Sequence, residues 1–85
     1  MSFMCPICGY DGLVEPPSVM GLPSYEICVC CGFQFGVTDL DRGFGVLAWR
    51  ALWIAKGMQW RSSFSPPPVG WDPVKQLRRV SNEDV

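Results

Sequence analysis

Histidine is missing altogether from the 85 residues. That excludes an imidazole general base, a Ser-His-Asp or Cys-His constellation, and any metal site that needs an imidazole ligand. Charge of either sign is also scarce: seven Lys and Arg against eight Asp and Glu leave a formal charge of -1. A chain so balanced lacks the electrostatic footprint of the usual basic nucleic-acid binder. No apolar run approaches the about 20 residues needed to cross a bilayer. The most apolar stretch, 44–60, is interrupted by Arg50 and Lys56. The opening Met1-Ser2-Phe3-Met4-Cys5 has neither the basic nor the apolar region of a signal peptide, so the expectation is a cytoplasmic protein without a membrane segment. A phosphate-binding glycine loop is absent, since Gly43-Phe44-Gly45 stops short of any nucleotide motif, and the acids form no recognisable pair. An enzyme is not expected.

What the sequence does contain is cysteine, five in a chain long enough for one domain. At this size a hydrophobic core alone leaves little margin, and a staple is common. Cys5-Pro6-Ile7-Cys8-Gly9-Tyr10 and Cys28-Val29-Cys30-Cys31-Gly32-Phe33 repeat one pattern, Cys-x-x-Cys-Gly-aromatic, across a 19-residue insert. Two Cys-x-x-Cys turns facing each other aim four sulfurs at one point, which is the spacing of a closed four-thiolate zinc site. In a reducing compartment such pairs are metal ligands more often than disulfides, and an odd count fits poorly with a fully bridged scaffold. The expected ligands are Cys5, Cys8, Cys28 and Cys31. Cys30 is left out because only Cys31 makes both knuckles end in Cys-Gly-aromatic; it reads as a small residue beside the site, with a redox-sensitive thiol as the alternative. Glycine after each second ligand suggests a positive φ there.

A closed thiolate shell leaves no position for water or substrate, so the site reads as structural, with Zn2+ as the expected metal and iron as the alternative. The first knuckle resembles that of rubredoxins, a resemblance that implies electron transfer by a single iron but covers only the knuckles. More broadly, the first 35 or so residues resemble zinc ribbons, and within them small bacterial cysteine-rich proteins of the Cys-Pro-Cys-Cys type. The approach Tyr25-Glu26-Ile27-Cys28 matches that group, whereas Val29 stands where it has proline. The resemblance implies a metal-stapled fold and carries over no catalytic residue.

The expected architecture is a small α+β fold in a single domain: a metal-binding ribbon over 1–38, a principal helix over 44–60, and a proline-rich strap with a short C-terminal helix over 65–85. The insert from Leu13 through Pro16-Pro17, Gly21 and Pro23 reads as a loop. The alternation of Phe33, Phe35 and Val37 places the second knuckle at the tip of a β-hairpin. Asp39, Asp41 and Gly43 form a turn, lacking the remaining ligands of a calcium loop. The principal helix shows two apolar stripes. Leu47, Ala51, Ile54 and Met58 read as the core stripe, and Trp49, Trp53, Lys56 and Trp60 as a second face that either the rest of the chain or a partner must cover. Asp72-Pro73 is an N-cap and first helical position, opening a helix to about Val80 with Val74, Leu77 and Val80 inward. Lys75, Arg78 and Arg79 make a small basic patch, and Ser81 to Val85 read as a frayed end. Four thiolates with Zn2+ would take the net charge to about -3, which weighs against nucleic acid. The expected function is therefore a structural-zinc protein–protein interaction module whose partner is another protein or a second copy of the chain. Rubredoxin-like electron transfer and a nucleic-acid-binding ribbon are the alternatives.

Overall fold

A computed structural model describes residues 2–81. Its regular elements are short: β1 (Ser18–Val19), β2 (Leu22–Pro23), α1 (Val46–Ala55) and α2 (Pro73–Leu77). This is a small α+β arrangement with one main helix, a short C-terminal helix and a two-stranded antiparallel sheet in the register Ser18↔Pro23 and Val19↔Leu22. The sheet lies in the insert that reads as a loop from sequence. Met20 and Gly21 both have positive φ, 52° and 82°, the conformation by which a two-residue turn joins strands of right-handed twist. The carboxylate of Glu26 accepts from the Val14 and Glu15 N–H groups, both at 2.9 Å, and ties the base of this insert to the approach of the second knuckle.

Each knuckle is the tip of a narrow antiparallel loop, and the two repeat the same bonds. Phe3 pairs with Leu13 and Ile27 with Gln34. Cys5 N–H donates to the Tyr10 carbonyl and Cys28 N–H to that of Phe33; Gly9 N–H returns to Cys5 and Gly32 N–H to Cys28. Around the second knuckle the expected hairpin is thus reduced to a single bridge with flanking bonds. Gly9 and Gly32 have φ of 85° and 80°, as their place after the second cysteine suggests.

The core is organised by sulfur. Of the buried apolar residues half are cysteines, packed with Ile7, Leu13, Phe33, Phe35 and Trp53. Helix α1 covers this cluster with its tryptophan side: Trp53 is buried, Trp49 packs against the cluster, and Leu47 at 69% exposure and Ile54 at 42% face outward. The sequence expectation for the core stripe is therefore inverted, with only Met58 of that stripe packed against the cluster. An indole removes roughly 200 Å2 from water, and its N–H can reach a carbonyl at the knuckles.

Helix α1 is shorter than the expected 44–60. Gly57 and Met58 take positive φ, 95° and 52°, and donate to the carbonyls of Ile54 and Trp53, the paired bonds of a Schellman ending. Trp60 consequently lies beyond the helix. The proline-rich strap is exposed throughout 63–70 and is tied at its start, where the Trp60 indole donates to the Ser65 carbonyl. Helix α2 begins as expected, Asp72 accepting from Val74 and Lys75 N–H with Pro73 in the first turn. It ends at Leu77 rather than near Val80, and its inward residue is Gln76, while Val74 is 46% exposed. Leu77 packs on the core as expected. Of the expected frayed end, only Ser81 falls within the described residues.

A Cβ on Gly9 would collide with the Gln76 carbonyl of α2, whereas nothing lies within 4 Å of one on Gly21. Both positions have positive φ. Gly21→Ala should therefore cost about 1 kcal/mol, the backbone term alone, and Gly9→Ala at least about 2 kcal/mol more, measured by urea unfolding of the metal-loaded protein.

Candidate metal centre

The structure brings Cys5, Cys8, Cys28 and Cys31 together, with their sulfurs all within 4.8 Å of one another. The Cys5–Cys31 and Cys8–Cys28 separations are 3.8 and 3.7 Å. A regular tetrahedron with metal–sulfur bonds of about 2.3 Å has edges of about 3.8 Å, whereas a disulfide would need about 2.05 Å. The donor set therefore fits a metal ion, and all five cysteines are free thiols. Cys5, Cys8 and Cys28 are wholly buried and Cys31 is 3% exposed.

Without a cation, four thiols at this spacing cannot all ionise. Cys5 is pushed well below the ordinary thiol range by hydrogen bonds from Cys28, Cys31 and Cys8. Cys8 is pushed well above it, first by its contact with Cys28 and then by Cys30 and Cys31, and Cys31 is raised chiefly by Cys28 and Cys5. The cluster thus holds protons that a metal must displace.

A knuckle that turns its sulfurs inward leaves its carbonyls needing donors from elsewhere. They come from every later part of the chain. Arg50 of α1 donates from Nε to the Ile7 carbonyl at 2.8 Å and from Nη2 to that of Pro6 at 2.7 Å. Trp49 Nε1 donates to the Cys31 carbonyl at 3.0 Å. The backbone N–H groups of Arg61 and Ser62 donate to Cys30 and Val29. From α2, Gln76 Nε2 donates to the Cys8 carbonyl at 3.0 Å, and Arg79 Nη1 to that of Gly9 at 3.0 Å.

Cys30 is fully buried, and its sulfur lies 3.3 Å from Gln76 Nε2. Gln76 Oε1 accepts from the Trp71 indole at 2.8 Å, so one buried amide joins the first knuckle, the fifth cysteine and the strap. Its bond to Gln76 and its neighbour Cys8 lower the Cys30 thiol, with Cys8 the larger cause, against the upward push of burial. Sequence reasoning missed Arg50, Gln76 and Arg79. The available signals were a lone arginine inside an apolar helix and an amide at the inward position of a five-residue one.

The other expected site residues are placed differently. Trp53 is buried, Trp49 and Trp60 are half-buried, and with Lys56 they line a cleft beside Cys31. Within the expected basic patch, Arg79 is held by the Gly9 carbonyl and by Asp11 at 3.3 Å. Asp39 accepts from Gly36 N–H, a turn contact as expected. Among the described residues no helix is long and apolar enough to cross a membrane.

No family model matches the chain, and no solved structure matches it. It is similar to two Bacillus subtilis (strain 168) proteins described as uncharacterized. Identity to YoaQ is 35% over 71 residues, covering 66% of this chain and 60% of YoaQ. Identity to YozI is 30% over 73 residues, covering 67% of this chain and 60% of YozI. The chain thus spans less than two thirds of the curated relatives it matches.

Arg50→Met keeps the aliphatic stem and strips both donors from the Pro6 and Ile7 carbonyls. It should destabilise the metal-loaded fold by about 2 to 4 kcal/mol in denaturant titrations, and Arg50→Lys by less, because an ammonium can serve one carbonyl but not span both. Since Cys8 and Cys31 retain protons at neutral pH, metal binding releases them. Apparent affinity should fall as pH drops from about 8 to about 6, and calorimetry in buffers of different ionisation enthalpy should detect the released protons.

Proposed function

We propose that this chain is a structural-zinc protein of the zinc-ribbon kind, working in the reducing cytoplasm as a module that binds other proteins and not as an enzyme. The observation that carries the reading is the set of four buried sulfurs within 4.8 Å of one another, with two of the separations at the edge length of a metal–thiolate tetrahedron. With every coordination position filled by protein, a zinc ion there holds the fold and has no vacancy in which to activate water. Support for a binding role comes from apolar side chains left outside: Met20 at 97% exposure, Leu22 at 72% and Leu40 at 68%.

A second reading, rubredoxin-like electron transfer by iron, is favoured by one detail. Cys31 is 3% exposed where the other three cluster cysteines are wholly buried, and the least covered ligand is where an electron would enter. The same sulfur spacing suits both metals.

Elemental analysis joined to native mass spectrometry on untagged protein distinguishes them. The expected result is a single zinc per chain, kept by Cys30→Ser and lost by Cys31→Ser. A red protein with a single iron and a reversible voltammetric wave would replace the first reading by the second. Metal-free chains with disulfide masses would remove both.

A further inference from the structure

Trp49 and Trp53 stand one turn apart on α1, and Trp60 follows from the segment beyond its end. Their indole N–H groups are all engaged within the chain, on the carbonyls of Cys31, Gln59 and Ser65 respectively. These residues line a cleft of about 210 Å3 that also reaches Lys56, Arg61 and Cys31. Trp53 is buried, and the Trp49 and Trp60 rings pack against Phe33 and Phe44 and against Tyr10 and Trp71, so what the lining offers a ligand is the ring surface of Trp49 and Trp60 left open to the cleft. An enclosed apolar cavity of about 150 Å3 is enough to hold benzene, so an open cleft of this size has room for an aromatic ring.

Charge selects among such ligands. Aromatic cages ordinarily receive cations, but here Lys56 and Arg61 sit in the lining, and among the described residues neither side chain forms an ion pair. Among the described residues no acidic one lines the cleft. A cation would meet two like charges, and a bare inorganic anion would leave the aromatic walls wet. We infer that the cleft is a binding site for a small aromatic carboxylate, its ring between the indoles and its carboxylate against Lys56 and Arg61. The site goes beyond the structural role of the metal and does not depend on which metal the cysteines hold.

The test uses the metal-loaded protein and three probes sharing one ring system: naphthylacetate, naphthylacetamide and naphthylethylamine. NMR titration should show saturable shifts of the Trp49, Trp53 and Trp60 indole N–H signals with naphthylacetate, and intermolecular contacts from the ring to those indoles. The amide should bind roughly fivefold more weakly, the increment of a partly exposed charge pair, and the amine more weakly still. Lys56 and Arg61 are exposed, so Lys56→Met with Arg61→Met should leave the fold intact and abolish the preference for the acid. Equal binding of all three probes would overturn the proposal, as would no saturable shift. Ring contacts to Met20 in place of the indoles would reveal adsorption to exposed apolar surface. Binding of a peptide bearing aromatic and acidic side chains, with none of the small acid, would assign the cleft to a protein partner instead.

Discussion

The rest of the structure depends on the backbone carbonyls of the two cysteine knuckles. Drawing the sulfurs of Cys5, Cys8, Cys28 and Cys31 to one point places a stretch of non-repetitive chain at the centre of the molecule. Helices and sheets satisfy their own backbone groups; a knuckle cannot, beyond the return bonds from Gly9 and Gly32. Each carbonyl left without a donor in the interior would cost about 1 to 3 kcal/mol, a large fraction of what a small domain has in total. All carbonyls from Cys5 to Gly9 and from Cys28 to Cys31 find one.

Those donors explain the placement of elements that otherwise have little reason to associate. Helix α1 has no side-chain N-cap and no acidic residue in its first turn, so its position owes more to tertiary contact than to its termini. Trp49 and Arg50, adjacent in sequence, point to different knuckles and clamp the helix across both. The segment after the helix docks by its own backbone at Arg61 and Ser62, which is why the chain must stop being helical at Gly57. Helix α2 is too short to be stable alone, and its buried residue is the amide that bridges Cys8, Cys30 and Trp71.

The same arrangement distributes charge. A four-thiolate centre around a divalent ion carries about two negative charges into a dry interior. Arg50 and Arg79 direct guanidinium groups to the first knuckle, and Arg61 lies over Gly32 of the second. Arg50 and Arg79 thus turn their charge toward the one place where negative charge would concentrate, while Arg61 stays exposed at its edge. Lys56 and Arg61 lie beside the aromatic cleft.

The composition and spacing of the sequence were enough to pick out the four cysteines whose sulfurs the fold brings together, the glycines that follow them, the α+β class and the cap at Asp72. Each of these follows from local geometry: a Cys-x-x-Cys turn, a positive φ, a carboxylate two residues before an N–H. Which face of α1 turns inward, where α1 ends, what Gln76 does and why the insert folds on Met20-Gly21 were decided only by the tertiary structure. Periodicity ranks the leucine and tryptophan stripes alike, since both recur at helical spacing. It does not register that the knuckles present unpaired carbonyls, which an indole or a guanidinium can satisfy and a leucine cannot.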